Sequence, residues 1–572
     1  MPDSAESLPD RGLLAQALRL HQAGRRQEAE DTYARYLAAH PDVPTALNNA
    51  ATLALEMGRA PLAVARLERA VAIDPDGPVG RHNLGFALVR ANRPLEAMFH
   101  LERAVALDPG YASAWNNLGI ALAHAGNRPA AIRAFERALA LDAGFADAAV
   151  NLGDMQNRAG DTARARASFE RALAAKPDHP GAIVGLSFAQ ALDGELDAAL
   201  AAMEARARPA PAYAPFWQTL AALRHWSGDL DRAEDAYKQA AALDPTDYDA
   251  RFGIASTLLG RGDYVRGLRA FEDRPDGRYG PARRYPALPV WSGARLDGTL
   301  LVFCEQGLGD VVQFARFVPA ARKRVREVVF VVDGYWRPLA PLLASLAGVD
   351  QLVTDAAAVD GLARPPAARV SVLSLAHLLD VVPDQLPGPV PYLAPPRDRA
   401  ASWALRVGAF PGLRVGLAWS ALHRGDHGYL TRHKSVPVSA LAPIVAQPGV
   451  SFVSLQPGAA GDRAPLGALA DRIVDWTAGF HDFADTAAVI AALDLVVTTD
   501  TSVAHVAGAL GKPVWLLDRY NACWRWRLDP QHSPWYPALT IFRQHAFLDW
   551  RQALAAVESE LARVVAGERQ LP

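Results

Sequence analysis

Three short segments hold the residues best suited to chemistry. The first is Gly307-Leu308-Gly309-Asp310, set between the apolar run Leu300–Cys304 and the stretch VVQFARFVPAARKR. An apolar run, a glycine turn and a helix-forming stretch read as strand, loop and helix. Glycines at 307 and 309 let a ligand approach the backbone closely. Asp310 falls at the helix start, where an Asp suits a helix cap as well as a base facing a cleft. The second segment is Thr499-Asp500-Thr501-Ser502-Val503-Ala504-His505, between LDLVV and SVAHVAGAL. Free N–H groups at a helix N-terminus attract phosphate, and Thr501 and Ser502 add hydroxyls. His505 lies one helical turn from Ser502, so both can face one ligand. The alternative is capping by Asp500, Thr501 or Ser502, with His505 as a satisfied core histidine. The third segment is Arg432-His433-Lys434-Ser435-Val436-Pro437, after the strand-like RVGLAWS. Lys434 there either neutralises a leaving phosphate or is a solvated loop charge. Trp524, Trp526, Trp535 and Tyr536 form an aromatic group that packs the fold or stacks on a base or sugar.

Several other chemistries are set aside. HExxH, CxxC, Walker A and GxSxG are absent, and the turn at 307 lacks the GxGxxG spacing. Asp-x-Asp pairs occur inside the repeats described below, Asp229/Asp231 and Asp247/Asp249 among them, so no bound metal is expected. A net charge of −2 gives no electrostatic footprint for nucleic acid. Two cysteines, Cys304 and Cys523, provide no disulfide framework and fit a reducing compartment. The N-terminal MPDSAESLPDRG does not read as a signal peptide, and no membrane-spanning run is seen. The expectation is therefore a cytoplasmic protein.

The elements that must position these segments fall into two kinds. From residue 298 onward, short apolar runs alternate with helix-forming stretches: 300–304, 327–333, 368–375, then 414–420, 451–458, 493–499 and 512–518. That pattern means parallel sheets covered on both faces, with ligands at the strands' carboxyl ends. A Pro-rich break at 386–396 divides the runs into two sets. The expected domains are Rossmann-like lobes at 298–396 and 412–545, a C-terminal helix at 546–566 and a connector at 272–297.

Residues 10–271 follow a different period. Pro41, Pro75, Pro109, Ala143, Pro177, Pro211 and Pro245 recur every 34 residues, with Ala29, Ala63, Ala97, Ala131, Ala165, Ala199 and Ala233 in step. Such a period marks an α-solenoid of stacked helix pairs, seven clear and an eighth ending near Phe271. Small residues allow close approach, and Pro stops the second helix of each pair. Asn49, Asn83, Asn117 and Asn151 recur on the first helix of four successive pairs. This ladder either binds an extended peptide backbone or belongs to the repeat consensus.

The 34-residue units resemble the tetratricopeptide repeat. Residues 298–545 resemble the heptosyltransferase family, glycosyltransferase family 9, through Gly307–Asp310, the Lys of RHKSVP and the run Asp500–Val514. The chain departs from that family in having Ser502 where Gly is usual. The resemblance implies a GT-B fold of two Rossmann-like lobes. It implies that Asp310 acts as base on the acceptor hydroxyl and that Lys434 contacts the donor phosphate. It also implies that Asp500 binds the donor sugar, with the amides of Thr501, Ser502 and Val503 on its phosphates. Gly307, Gly309 and His505 complete the expected donor site. The whole layout resembles protein O-linked N-acetylglucosamine transferases. It resembles more closely the bacterial repeat-bearing transferases that modify flagellin with nonulosonic acids. The implied function is inverting, metal-independent O-glycosylation of a protein, flagellin, from a CMP-nonulosonic acid, with the repeats recruiting the acceptor. Transfer to lipopolysaccharide or another glycan, and a non-catalytic repeat scaffold, are the alternatives.

Overall fold

The computed structural model describes residues 8–208, 211–274, 284–382, 389–421, 433–456, 466–526 and 533–572. Helices in pairs fill residues 8–270. The second helix of each pair begins at Arg26, Ala60, Pro94, Arg128, Thr162, Leu196, Leu230 or Tyr264, so the structural period equals the sequence period. Two residues before each of these starts the backbone has positive φ, at Gly24, Gly58, Asn92, Gly126, Gly160, Gly194, Gly228 and Gly262. Only glycine adopts that turn without steric cost, and Asn is among the few residues that tolerate it. The seven in-step alanines are all fully buried. Glycines on the first helices make room for the bulky residues on the second. A Cβ on Gly119 would stand 2.5 Å from Phe135, and one on Gly153 would stand 2.7 Å from Phe169.

The chain divides into two compact units, Met1–Ala189 and Gln190–Pro572. The division falls inside the repeats, whose helix pairs continue to Ala270. The cause is packing: Leu259, Tyr264 and Phe271 from the last repeat share one core with Leu300, Phe314, Trp524 and Trp535. Phe271 stacks on Phe314 with ring planes 3° apart. Nor are the described parts of the connector a free linker. Arg274 is fully buried and donates to Glu305 Oε1 (Nε, 3.0 Å) and Ser374 Oγ (2.9 Å). Arg284 forks onto both oxygens of Asp333 at 2.7 and 2.8 Å, and Trp291 is buried.

Two parallel sheets follow. The first contains β1 (Leu296–Phe303), β2 (Val325–Val331), β3 (Gln351–Val353) and β4 (Pro366–Ser371), in the order β3-β2-β1-β4. The second contains β5 (Leu413–Ala418), β6 (Val450–Ser454), β7 (Ile473–Val474), β8 (Leu495–Thr499), β9 (Val514–Asp518) and β10 (Leu539–Arg543). Its order is β10-β9-β8-β5-β6-β7, again parallel throughout. The seven expected strands are all present. β3 and β7 escaped notice because they have three and two residues, and β10 lies behind the aromatic segment. The chain ends in the helix Arg551–Val565.

Strand order decides where a crevice can form. In the first sheet the chain moves outward from β1 through β2 and β3, then returns to β1's other side with β4. In the second it moves from β5 through β6 and β7, then returns beside β5 with β8. Loops after strands that flank such a reversal diverge and leave a crevice. Gly307–Asp310 follows β1, the Lys434 segment follows β5, and Asp500–His505 follows β8. All three motifs sit at reversals.

Candidate functional site

Asp310 opens the helix Leu308–Ala315. Its Oδ2 accepts the Gly307 N–H at 2.9 Å, so the capping role is present. Its Oδ1 accepts from Arg525 Nη2. Gly307 and Gly309 lie in the turn itself. A Cβ on Gly309 would meet His505 Cδ2 at 2.7 Å and Ser502 Cα at 3.4 Å. Glycine at 309 is therefore what lets the first and third motifs touch.

Asp500 is held on both oxygens. Lys434 Nζ donates to Oδ2 at 3.0 Å and Trp526 Nε1 donates to Oδ1 at 2.9 Å. Burial alone would push this carboxyl up, but the charges of Lys434 and Arg519 outweigh it and hold the group well below the usual carboxylate range. Asp500 is thus an anion at any physiological pH. Lys434 comes from the β5 loop, so this bond joins the second motif segment to the third. Its neighbour Arg432 lies outside the described residues.

Thr501 caps the helix Ser502–Ala509, with Oγ1 accepting from Val503 N at 3.3 Å. The expectation gave that Val503 amide to a donor phosphate; the cap engages it instead. Ser502 is half-buried at the first helical position. His505 is only 4% exposed. Its Nδ1 pairs with Tyr536 OH at 3.0 Å, and its ring stacks on Trp526. Burial, with the Arg525 charge, pushes it down to about 4, so it is neutral at pH 7. That is the environment of a satisfied core histidine, not of one displayed with Ser502 to a ligand. It is still central, because the charges of Arg525, Asp500, Asp310 and Lys434 all act on it.

The ladder asparagines are half-buried and lie in the first unit. Asn83 donates to Asn48 (3.0 Å), Asn117 to His82 (2.8 Å) and Asn151 to Asn116 (2.9 Å), each reaching back one repeat. Asn117 also lines a hollow of about 420 Å³ with Phe86, Val89, Arg90, Ile120 and His124.

Three residues at the site, Arg525, Glu305 and Gln313, were not anticipated, and Trp526 was expected only as one of the aromatic group. Arg525 pairs with Asp310, and Trp526 orients Asp500. Glu305, two residues before Gly307, is buried and takes Arg274 and Ser371 Oγ on Oε1. Gln313, one turn after Asp310, is fully buried and accepts from Arg525 Nε at 2.7 Å. The alternation of Arg and Trp in Cys523-Trp524-Arg525-Trp526 was visible, but only as an aromatic group. Trp524, Trp526, Trp535 and Tyr536 are all buried, so packing is their common role.

A fixed anion at Asp500, a cation beside it and a capped helix end stand together at the strand ends. Such a set can hold a phosphate ester opposite a carboxylate. Family models place the sequence. The tetratricopeptide repeat matches residues 14–78, 82–144, 125–180, 227–281 and, by a second model, 157–223. Glycosyltransferase family 9 (heptosyltransferase) matches residues 444–545. The chain carries tetratricopeptide repeats followed by a glycosyltransferase family 9 segment. That segment includes Asp500–His505 and Arg525; Asp310 and Lys434 lie outside it. Protein FlbA of Caulobacter vibrioides is 28% identical over 329 residues, 54% of this chain and 54% of FlbA. The chain thus spans about half the length of this curated relative. Among solved structures, MamA of Desulfovibrio magneticus is 20% identical, covering 31% of this chain and 99% of its own, with TM-score 0.29. A tetratricopeptide repeat protein of Parabacteroides merdae is 14% identical, covering 44% and 100%, with TM-score 0.40.

Proposed function

We propose that the chain is an inverting, metal-independent O-glycosyltransferase acting on protein. The two parallel sheets are the lobes of a GT-B fold, and a nucleotide-activated sugar lies in the crevice between their motif loops. The acceptor's Ser or Thr oxygen attacks the anomeric carbon and gives its proton to Asp310. As the new C–O bond forms, the bond from that carbon to the phosphate oxygen breaks, and the nucleotide leaves with the electron pair. Lys434 and the helix end at Thr501–Ser502 stabilise the departing phosphate. The observation that carries this reading is the convergence of all three motifs: Gly309 touches His505, and Lys434 binds Asp500.

Three aspartates of the Asp-x-Asp pairs in the repeats have structural roles. Asp229 and Asp247 cap helices, and Asp231 pairs with Arg261. No helix among the described residues is long and apolar enough to cross a membrane. Enzyme and acceptor would meet in the cytoplasm. The repeats recruit the acceptor, because they offer far more surface than a small glycan needs. Flagellin as acceptor and a CMP-nonulosonic acid as donor rest on the likeness to repeat-bearing flagellin transferases.

Asp310→Asn tests the base, since Asn retains the cap to Gly307. The expected result is unchanged nucleotide affinity with turnover lower by about a hundredfold or more. Near-parent turnover would overturn the assignment. Flagellin of unchanged mass in a deletion strain would overturn the acceptor. Tighter binding of UDP or ADP than of CMP would overturn the donor.

A further inference from the structure

The Arg525 guanidinium makes contacts with all three nitrogens. Nε donates to Gln313 Oε1 at 2.7 Å, Nη1 reaches Cys523 Sγ at 3.3 Å, and Nη2 donates to Asp310 Oδ1. The group lies over the Trp524 ring, 4.4 Å from its centroid, with only 12% of its side chain exposed. Gln313 is 0% exposed, and its Nε2 has no hydrogen-bond partner among the described residues. It sits three residues after Asp310, on the same helix face. A buried amide N–H without an acceptor is costly and rare in native folds. An open amide donor and a pre-oriented guanidinium, side by side, form a carboxylate-binding set. Asp310 supplies only one carboxylate to it.

We propose that Arg525 and Gln313 bind the carboxylate that an acidic sugar donor carries on its anomeric carbon, and that this carboxylate displaces Asp310 from Arg525. The proposal rests on the nucleotide-sugar reading above. Its chemistry follows from the reaction. A base that takes the proton of the attacking hydroxyl must stand within a few ångströms of the carbon attacked. If that carbon bears a carboxylate, two anions are brought together and need a cation between them. Arg525 can hold the incoming carboxylate while freeing Asp310 Oδ1 for the proton. A carboxylate bonded to a guanidinium is a poor base, so a neutral sugar would leave Asp310 paired and unreactive. One residue then both selects the donor and switches on the base.

The test uses the full chain and calorimetry with two probes, CMP and CMP-pseudaminic acid. The parent is expected to bind the acidic sugar nucleotide about tenfold more tightly than CMP, or better, the range of one charge-assisted pair. Arg525→Gln should erase that excess and leave CMP affinity within about twofold. Arg525→Lys keeps the charge without the fork, and Gln313→Leu removes the amide donor; each should retain part of the excess. Equal weakening of both probes would mean that Arg525 only holds the fold together, and would overturn the proposal. So would an excess unchanged in Arg525→Gln, or a parent that binds CMP with no excess. A parent that binds neither probe would overturn the donor reading itself.

Discussion

The first five repeats and the last two are built from one 34-residue unit, yet they bury their faces against different things. In the first unit repeat packs on repeat, with Leu101, Phe135 and Phe169 in one core. Its ladder asparagines reach from repeat to repeat. In the second unit, repeat residues reach into the sheets. Phe271 stacks on Phe314, and Tyr264 meets Trp535 edge-on. Trp226 packs with His433, next in sequence to Lys434. Arg274 holds Glu305 at the base of the Gly307–Asp310 turn. A 34-residue period reports how each unit folds; it does not report what the unit's outer face is for. The last repeats act here as part of the scaffold that sets the motif loops.

Truncation breaks this comparison most severely. A chain begun near Pro289 loses Tyr264, Phe271 and Arg274, leaving Phe314 and Trp535 uncovered and Glu305 without its cation. It should aggregate or melt without cooperativity, whereas a chain begun near Pro180 should fold and bind nucleotide. Calorimetric melting of both checks this, and a cooperative, nucleotide-binding chain from Pro289 would make the last repeats dispensable.

A single substitution gives a smaller effect of the same kind. Arg274→Ala leaves a buried carboxylate unpaired, which costs about 3–5 kcal/mol. Arg66→Ala, which breaks the more accessible Arg66–Glu30 pair of the first unit, should cost less. Of thirteen tryptophans only Trp115 lies in the first unit, so urea titration by fluorescence reports the second unit. An equal loss for the two variants, each read in its own unit, would remove the distinction.

Titration should reveal the second unit's buried histidines. Burial pushes His225 and His505 down to about 4 from 6.5. Between those values the unfolded chain binds more protons than the folded one, so stability falls as pH falls. Burial pushes Asp518 up to about 6, which acts in the opposite sense below that pH. The net loss on acidification should therefore be steepest just below pH 6.5. His225→Asn, whose amide can still reach Thr257, should remove one histidine's share, about 3 kcal/mol by pH 4. An unchanged slope would mean that His225 gains its proton without penalty.

The repeats, seven of ten strands and the three motif turns were legible because each has a local signature: a period, an apolar run, a glycine at a strand end. Arg525, Gln313, Glu305 and Arg274 carried none. Each matters through a partner at least 31 residues away, or 212 in the case of Arg525 and Gln313. His505 misled for the opposite reason. Its spacing from Ser502 was right for a shared ligand, but Tyr536 and Trp526, both from the far side of β9, enclose it.

The ladder gives the smallest effect and separates the two repeat sets most cleanly. Replacing Asn83, Asn117 and Asn151 together by Ala removes three inter-repeat hydrogen bonds, worth about 1 kcal/mol each at partly wet positions. The helical melt of the first unit should drop slightly, and the tryptophan-detected melt of the second should not move. If the ladder also engages the acceptor, capture of the acceptor falls while hydrolysis of the donor continues at the parent rate. In that case the hollow beside Asn117, lined by Phe86 and Ile120, would offer the acceptor an apolar seat next to the amides. A lower melt with unchanged capture would make the asparagines ties between repeats and nothing more. A loss of donor hydrolysis would contradict the division of labour between the two units.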